Sequence, residues 1–155
     1  MKKKVYIISI IGIVLDFLSK AFIMSKLSVG SSKTIIENFF YITHVNNKGA
    51  AWGMFSSNTM VLTIISILFT IFFVWYVEKN KLKLYEEISA GIILAGILGN
   101  MFDRIFRGYV VDFLNFYIFG YDYPVFNIAD TFIVTGVIIL IVFYLKEAFV
   151  KWKKD

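Results

Sequence analysis

The chain has 155 residues, of which 59% are apolar and only 17% charged, with a mean hydropathy of +0.75. A soluble chain averages roughly 45 to 50% apolar and about 25% charged, so a water-soluble domain of this size is excluded. One Pro and no Cys argue against a disordered chain, a disulfide scaffold or a thiol enzyme, and the net charge of +5 has to be read by position before it can speak for a nucleic-acid partner.

In chain order, three lysines (Lys2, Lys3, Lys4) open onto a first apolar stretch, 5–24. Its start resembles a secretory signal, with Ser19-Lys20-Ala21 as small residues in a cleavage pattern, but apolar sequence resumes through Phe22, Ile23 and Met24, which favours a span. Residues 35–55 are β-branched and aromatic. They alternate loosely, with Phe39, Tyr41, Thr43 and Val45 on one side and Phe40, Ile42 and His44 on the other, which predicts strands lying on a membrane surface. Tyr41 and Trp52 suit the headgroup level. A second span, 60–77, is followed by a short charged turn, 78–87, a third span, 88–106, a second connection, 107–125, and a fourth span, 126–145. Each span approaches the ~20 residues that cross a hydrocarbon core. With no internal repeat or low-complexity linker, residues 1–155 read as one integral membrane domain. The predicted fold is all-α, with four transmembrane helices and a small β-rich segment between the first and second.

The basic residues then fall into place. Lys2 to Lys4, Lys79, Lys81 and Lys83, and Lys146, Lys151, Lys153 and Lys154 all lie on one side of a four-span chain. By the positive-inside rule that side is the cytoplasm, which predicts N-in and C-in termini with 25–59 and 107–125 outside. The excess positive charge is an orientation signal, and no nucleic-acid partner is expected.

Charged groups within spans cost a few kcal/mol each on insertion scales, and here they gather toward the outer side. Asp16 lies roughly 12 Å below the outer end of span one, and Lys20 stands one turn nearer the surface, on the same helix face. An internal ion pair that holds helices together is the plainest use for them. In span three, Gly91, Ala95 and Gly99 offer small residues for close helix approach. Gly96, Asn100, Asp103 and Arg104 share a face that must point into the bundle, because lipid cannot satisfy it.

Asp112 follows span three, and Asp130 lies in the first turns of span four. Alone, Asp112 reads as a solvated loop carboxylate and Asp130 as a helix cap. Together, at one depth, they are what an aspartic protease requires. Two close carboxylates cannot both ionise cheaply, so one keeps a proton while the other takes one from a water that attacks an amide carbonyl. Neither a metal nor a cofactor is needed. His44, the only histidine, lacks the partners for a zinc site and reads as a strand histidine with a local hydrogen bond. No local spacing favours Ser19, Ser56 or Ser57 as a nucleophile with His44 or Lys20, and no glycine-rich phosphate loop is present.

Four motifs in order carry a specific resemblance: Asn47-Lys48-Gly49-Ala50-Ala51-Trp52-Gly53, Gly99-Asn100-Met101-Phe102-Asp103-Arg104, Val110-Val111-Asp112-Phe113 and Phe126-Asn127-Ile128-Ala129-Asp130. With Asp16 and Lys20 in the first span, the chain resembles bacterial lipoprotein signal peptidase (signal peptidase II) over nearly its whole length. The resemblance implies an aspartyl endopeptidase of the bacterial cytoplasmic (inner) membrane with its active site on the extracytoplasmic side. It would remove signal peptides from diacylglyceryl-modified prolipoproteins, on the amino side of the lipid-bearing cysteine. Asp112 and Asp130 would be the catalytic pair. Asn127, Asn100, Asp103 and Arg104 would hold the pair and contact the substrate backbone, Asn47 with Gly49 would set the β-rich segment over the site, and Asp16 and Lys20 would brace span one. The implied partners are the prolipoprotein, membrane lipids and globomycin-type inhibitors, with the chain acting as a monomer. Phe17 departs from the family's pattern, which often carries Gln after the Asp of span one, so a polar contact from that position is not expected. Residues 35–55 and the aromatic loop 116–126 are expected to shield the pair from water. Two rival readings are a small four-span transporter relaying a cation through Asp16 and Lys20, and a noncatalytic assembly subunit docking through the polar face of span three.

Overall fold

Long apolar runs without proline become four helices, joined through short strands, in the computed structural model, which describes residues 2–49 and 58–153. The order is α1 (Lys3–Lys26), β1 (Ser32–Ile36), β2 (Phe40–Asn47), α2 (Thr59–Lys79), α3 (Leu84–Arg107), β3 (Val110–Ile118), β4 (Tyr121–Asp122) and α4 (Ile128–Trp152). All four helices are long and apolar enough to cross a membrane, and they extend past the predicted spans into flanking polar residues except at the start of α4, which begins two residues later than predicted, at Ile128. The predicted motif residues Ala50 to Gly53, with Trp52 among them, and Ser56 and Ser57 lie outside the described residues.

The chain runs up and down, so the start of α1, the end of α2, the start of α3 and the end of α4 share one end of the bundle. Bonds across that end tie the elements together: Tyr6 Oη donates to Glu78 at 2.7 Å, Lys83 Nζ to Glu147 at 2.6 Å, and Tyr144 Oη to Glu86 at 2.8 Å. The apolar core lies just inside it, where Val5, Val77, Ala90 and Leu94 close on one another.

Helix α3 is the central element because its small residues let neighbours come close from two sides. A Cβ on Gly91 would strike the Val5 carbonyl and Ile8 of α1, and one on Gly96 would fall on the Ala129 carbonyl oxygen and Ile133 of α4. Gly12 of α1 answers from the other side, with room for Ala95 and no more. By contrast α2 buries only Val77. Its hydroxyls turn inward on their own helix, Thr63 to the Thr59 carbonyl, Ser66 to that of Leu62 and Thr70 to that of Ser66, which lets an almost fully exposed apolar helix carry polar side chains in lipid.

The predicted β-rich segment is present as β1 and β2, but it is only half of the sheet. The order is β1-β2-β3-β4, antiparallel throughout, with Phe40 opposite Phe116 and Asn47 opposite Val110. The expectation of β structure only between the first and second spans, with 116–126 as a loop, is therefore corrected: Val110–Ile118 is a strand, bounded by Gly108 and Gly120, and its first four residues are buried. Glycine is required at 108, where φ of +76° ends α3 and turns the chain into β3. The β3–β4 hairpin closes through Phe119 and Gly120, both with positive φ (+52° and +79°). That is a type I′ turn, which ordinarily takes Asn-Gly or Asp-Gly; a left-handed conformation costs a residue with a Cβ about 1–2 kcal/mol.

The packing of Gly96 against α4 backbone carries a prediction. Gly96→Ala should lower the melting temperature in detergent by several degrees, as overpacking does; an unchanged melting curve would mean that α3 and α4 have slack at this crossing.

Candidate active site

Opposite the apolar core, the bundle is held by a buried polar cluster. Lys20 is completely buried, and Asp16 and Asp103 are each 2% exposed. The Lys20 Nζ lies 2.8 Å from Asp16 Oδ2, 2.9 Å from Asp103 Oδ2 and 3.1 Å from Asn100 Oδ1. Arg107, one turn below Asp103 on α3, pairs with the remaining oxygen of Asp103. Two anions thus meet two cations, which is how charges survive where water is scarce. The predicted Asp16–Lys20 pair is present, and it reaches well beyond α1.

Each of those carboxylates also fixes a backbone amide. Asp16 Oδ1 accepts from the Ala129 N–H at 3.1 Å, and Asp103 Oδ2 from the Val111 N–H at 3.2 Å. Ala129 and Val111 immediately precede Asp130 and Asp112. The ammonium of Lys20 therefore organises two arms, one ending beside each of the two outer carboxylates.

Asp112 is not a solvated loop residue. It is 2% exposed on β3, and it accepts from Asn47 Nδ2 on Oδ2 at 2.8 Å and from Asn127 Nδ2 on Oδ1 at 2.7 Å. Both amides are locked in that orientation because their oxygens are already taken, Asn47 Oδ1 by the Gly49 N–H and Asn127 Oδ1 by the Asp130 N–H. Burial, and then the charge of Asp130, push the Asp112 carboxyl from its ordinary value up to about 7, against the two amide bonds.

Asp130 does serve as a cap. Asn127 and Asp130 form a reciprocal capping box at the start of α4, the Asn127 side chain accepting from the Asp130 N–H at 3.0 Å and Asp130 Oδ2 from the Asn127 N–H at 3.1 Å. Its other oxygen accepts from Asn100 Nδ2 at 2.7 Å. Capping and facing the site are two uses of one carboxylate.

Asp112 and Asp130 open onto one cavity of about 420 Å³, walled also by Asn100, Arg104 and the aromatic side of Tyr123 and Phe126. The cavity runs along α4 past Thr131, Val134 and Thr135. Arg104 donates from Nη2 to the Gly49 carbonyl at 3.3 Å, while its buried Nε has no partner among the described residues. Asp16, Lys20 and Asp103 form no part of this wall. His44 is buried, with Nδ1 2.8 Å from the Leu27 carbonyl. Phe17 is 55% exposed, and the Arg107 guanidinium lies 5.9 Å from its ring centre. Among the described residues, no three His, Asp, Glu or Cys side chains converge as a metal site.

Every predicted site residue from Asp16 to Asp130 is thus brought into one hydrogen-bonded system. What sequence reasoning missed is the backbone: the amides of Val111 and Ala129, and β3 itself. The signal for β3 was present as a nine-residue run between two glycines, aliphatic or aromatic except at Asp112 and Asn115.

Four apolar helices with a four-stranded sheet at one end, and a cavity onto which the buried Asp112 and the half-buried Asp130 both open, define a multi-pass membrane protein. Comparison with known proteins gives the family. Residues 8–146 match the Peptidase_A8 family, signal peptidase (SPase) II, and the chain belongs to it. It is also similar to two solved structures, each described as a bacterial membrane enzyme obtained by the in meso method. One, at 2.3 Å, is 36% identical with a TM-score of 0.84, over 93% of this chain and 88% of that one. The other, at 1.9 Å, is 37% identical with a TM-score of 0.81, over 92% of each chain.

The Lys20 arrangement predicts that Lys20→Met lowers stability by about 3–5 kcal/mol, the usual result of removing one partner from a buried ion pair. Thermal unfolding in detergent checks this; a parent-like melting temperature would remove Lys20 from its bracing role.

Proposed function

We propose that this signal peptidase is an aspartyl endopeptidase acting on lipid-modified prolipoproteins, with Asp112 and Asp130 as its catalytic pair. The observation that carries the reading is the shared cavity onto which both carboxylates open, Asp112 buried and Asp130 half-buried, each held by N–H donors. Asp112 is the partner that keeps the proton, because burial and the neighbouring charge favour its neutral form. Asp130, at the N-terminal turn of α4, is assigned the charged role: a helix N-terminus favours an anion, and its oxygens accept from the Asn127 N–H and from Asn100 Nδ2.

In this scheme a water between the carboxylates gives one proton to Asp130 as its oxygen bonds to the scissile carbonyl carbon. Asp112 donates its proton to the carbonyl oxygen, so a neutral gem-diol forms. Collapse returns a gem-diol proton to Asp112, the proton on Asp130 passes to the amine nitrogen, and the C–N bond breaks. The pair ends as it began. The free Nε of Arg104 supplies a donor for a substrate carbonyl, and the run of Thr131, Val134 and Thr135 along α4 gives a mixed apolar and hydroxyl track for a signal helix entering from the membrane side. We place the lysine-rich end in the cytoplasm and the cavity on the outer face, on the charge asymmetry between the two ends. That is the level at which a peptide bond next to a diacylglyceryl anchor would arrive. Asp16 is tied to the Ala129 amide and Lys20 to the side chains of Asp16, Asp103 and Asn100, and neither lines the cavity, which suits a brace and not a cation path.

Asp112→Asn and Asp130→Asn, each assayed as purified protein on a lipidated prolipoprotein, should lower turnover by about a thousandfold or more while leaving a folded protein, since an amide cannot complete the proton exchange. Cleavage at the parent rate by either variant would end the proposal. The pH profile gives a second check. The form needed is protonated at Asp112, which prevails below about pH 7, so kcat should fall as pH rises through that value. A rate still climbing at pH 8 would mean that Asp112 works as an anion.

A further inference from the structure

The β3–β4 turn has a chemistry that the chain itself does not account for. Its first position is left-handed at φ +52°, yet it holds Phe119 where such turns take Asn, Asp or Gly. At the β1–β2 turn the equivalent demand, φ +59°, is met by Asn38. Phe119 is 106% exposed, so no packing among the described residues offsets either the backbone strain or the hydration of the ring.

Phe119 has apolar company. Ile118 is 44% exposed, and the neighbouring tip presents Ile36 at 52% and Phe39 at 44%. The register puts both tips at one end of the sheet, since Phe40 faces Phe116 and the Tyr117 N–H donates to the Phe39 carbonyl at 2.8 Å. Asp112 lies toward the other end, near the Asn47–Val110 pair. The apolar patch is thus about 20 Å along the strand from Asp112, at ~3.3 Å per residue.

The position of the sheet selects what covers the patch. β3 starts within three residues of the last residue of α3, Arg107, and β1 starts six residues after α1 ends at Lys26. Both therefore leave the bundle at its membrane boundary, beside helices whose outward faces are themselves exposed and apolar. We propose that the Phe119 turn is a membrane wedge: Phe119 and Ile118, with Ile36 and Phe39 of the adjacent tip, insert into the leaflet on the cavity side. The sheet is then supported at two points, the bundle and the wedge, and lies along the bilayer. This holds the cavity wall that continues from β4, Tyr123 to Phe126, at the level of lipid headgroups. Insertion rests on the membrane-spanning bundle alone and not on the proposed reaction.

The absence of cysteine in the chain makes the test direct. Single variants Phe119→Cys, Phe72→Cys (mid-α2, exposed) and Lys81→Cys (exposed, at the opposite end) carry a nitroxide in nanodiscs of phosphatidylethanolamine and phosphatidylglycerol, one copy per disc. Collision with oxygen is compared with collision with a water-soluble nickel chelate. At position 119 oxygen should be favoured several-fold over the chelate, as at position 72. A ratio like that of position 81 would overturn the proposal, and so would dipolar broadening between two copies on a single disc in a preparation made with excess protein. Phe119→Asn suits the turn and should melt in detergent at or above the parent temperature; a marked fall would show that the ring packs within the chain and would also refute the wedge.

Discussion

A single buried ammonium holds the cavity end of this molecule together. Lys20 is inaccessible to water, and its three oxygen neighbours come from α1 and α3. Removing a charge from water is costly, and the cost is met only when geometry is close and every remaining lone pair is occupied. Here it is occupied twice over by backbone, because Asp16 and Asp103 each spend a lone pair on an amide next to a site carboxylate. The constraint runs in both directions. Moving β3 or the start of α4 would leave a buried carboxylate short of a donor, and losing the ammonium would leave two anions facing each other.

The same logic explains why the two ends of the bundle differ. At the lysine-rich end, burial is apolar and ordinary, with Val5, Val77, Ala90 and Leu94 in contact. At the other end α3 passes from glycine and alanine to Asn100, Asp103 and Arg104. Small residues bring α1 and α4 against α3, and that closeness puts Lys20 within reach of Asn100 and Asp103, and Asn100 within reach of Asp130. Packing and chemistry share one helix, arranged in series along it.

The sequence was most informative where physics leaves few options. Four proline-free apolar stretches can do little but span, and the charges inside them had to find each other, so the Asp16–Lys20 pair and the inward face of α3 were legible from spacing. Asp112 was harder. Read alone it looked solvated, because nothing local marks a carboxylate that is buried by strands distant in sequence; β2 and β3 are joined only through α2 and α3. Asp130 was legible as a cap, and it is one. Its second use depends on Asn100, thirty residues earlier, a relation that spacing along one helix does not express. The amides of Val111 and Ala129 could not be read at all, since a backbone N–H is the same in every residue but proline.

Helix α1 contributes no side chain to the wall of the cavity, and this bears on how a ligand bound there could be evaded. A molecule filling the cavity meets Asp112, Asp130, Asn100 and Asn47, groups already committed to one another, and a short run of α4 and the β4 connection. The committed groups have almost no freedom to vary without dismantling their own hydrogen bonds, and the brace behind them is out of the ligand's sight. Escape by substitution therefore falls to the wall outside the polar floor, Val110, the segment 123–126 and Thr131, Val134 and Thr135 of α4, and an inhibitor that draws its affinity from the polar floor would leave the chain few ways to refuse it.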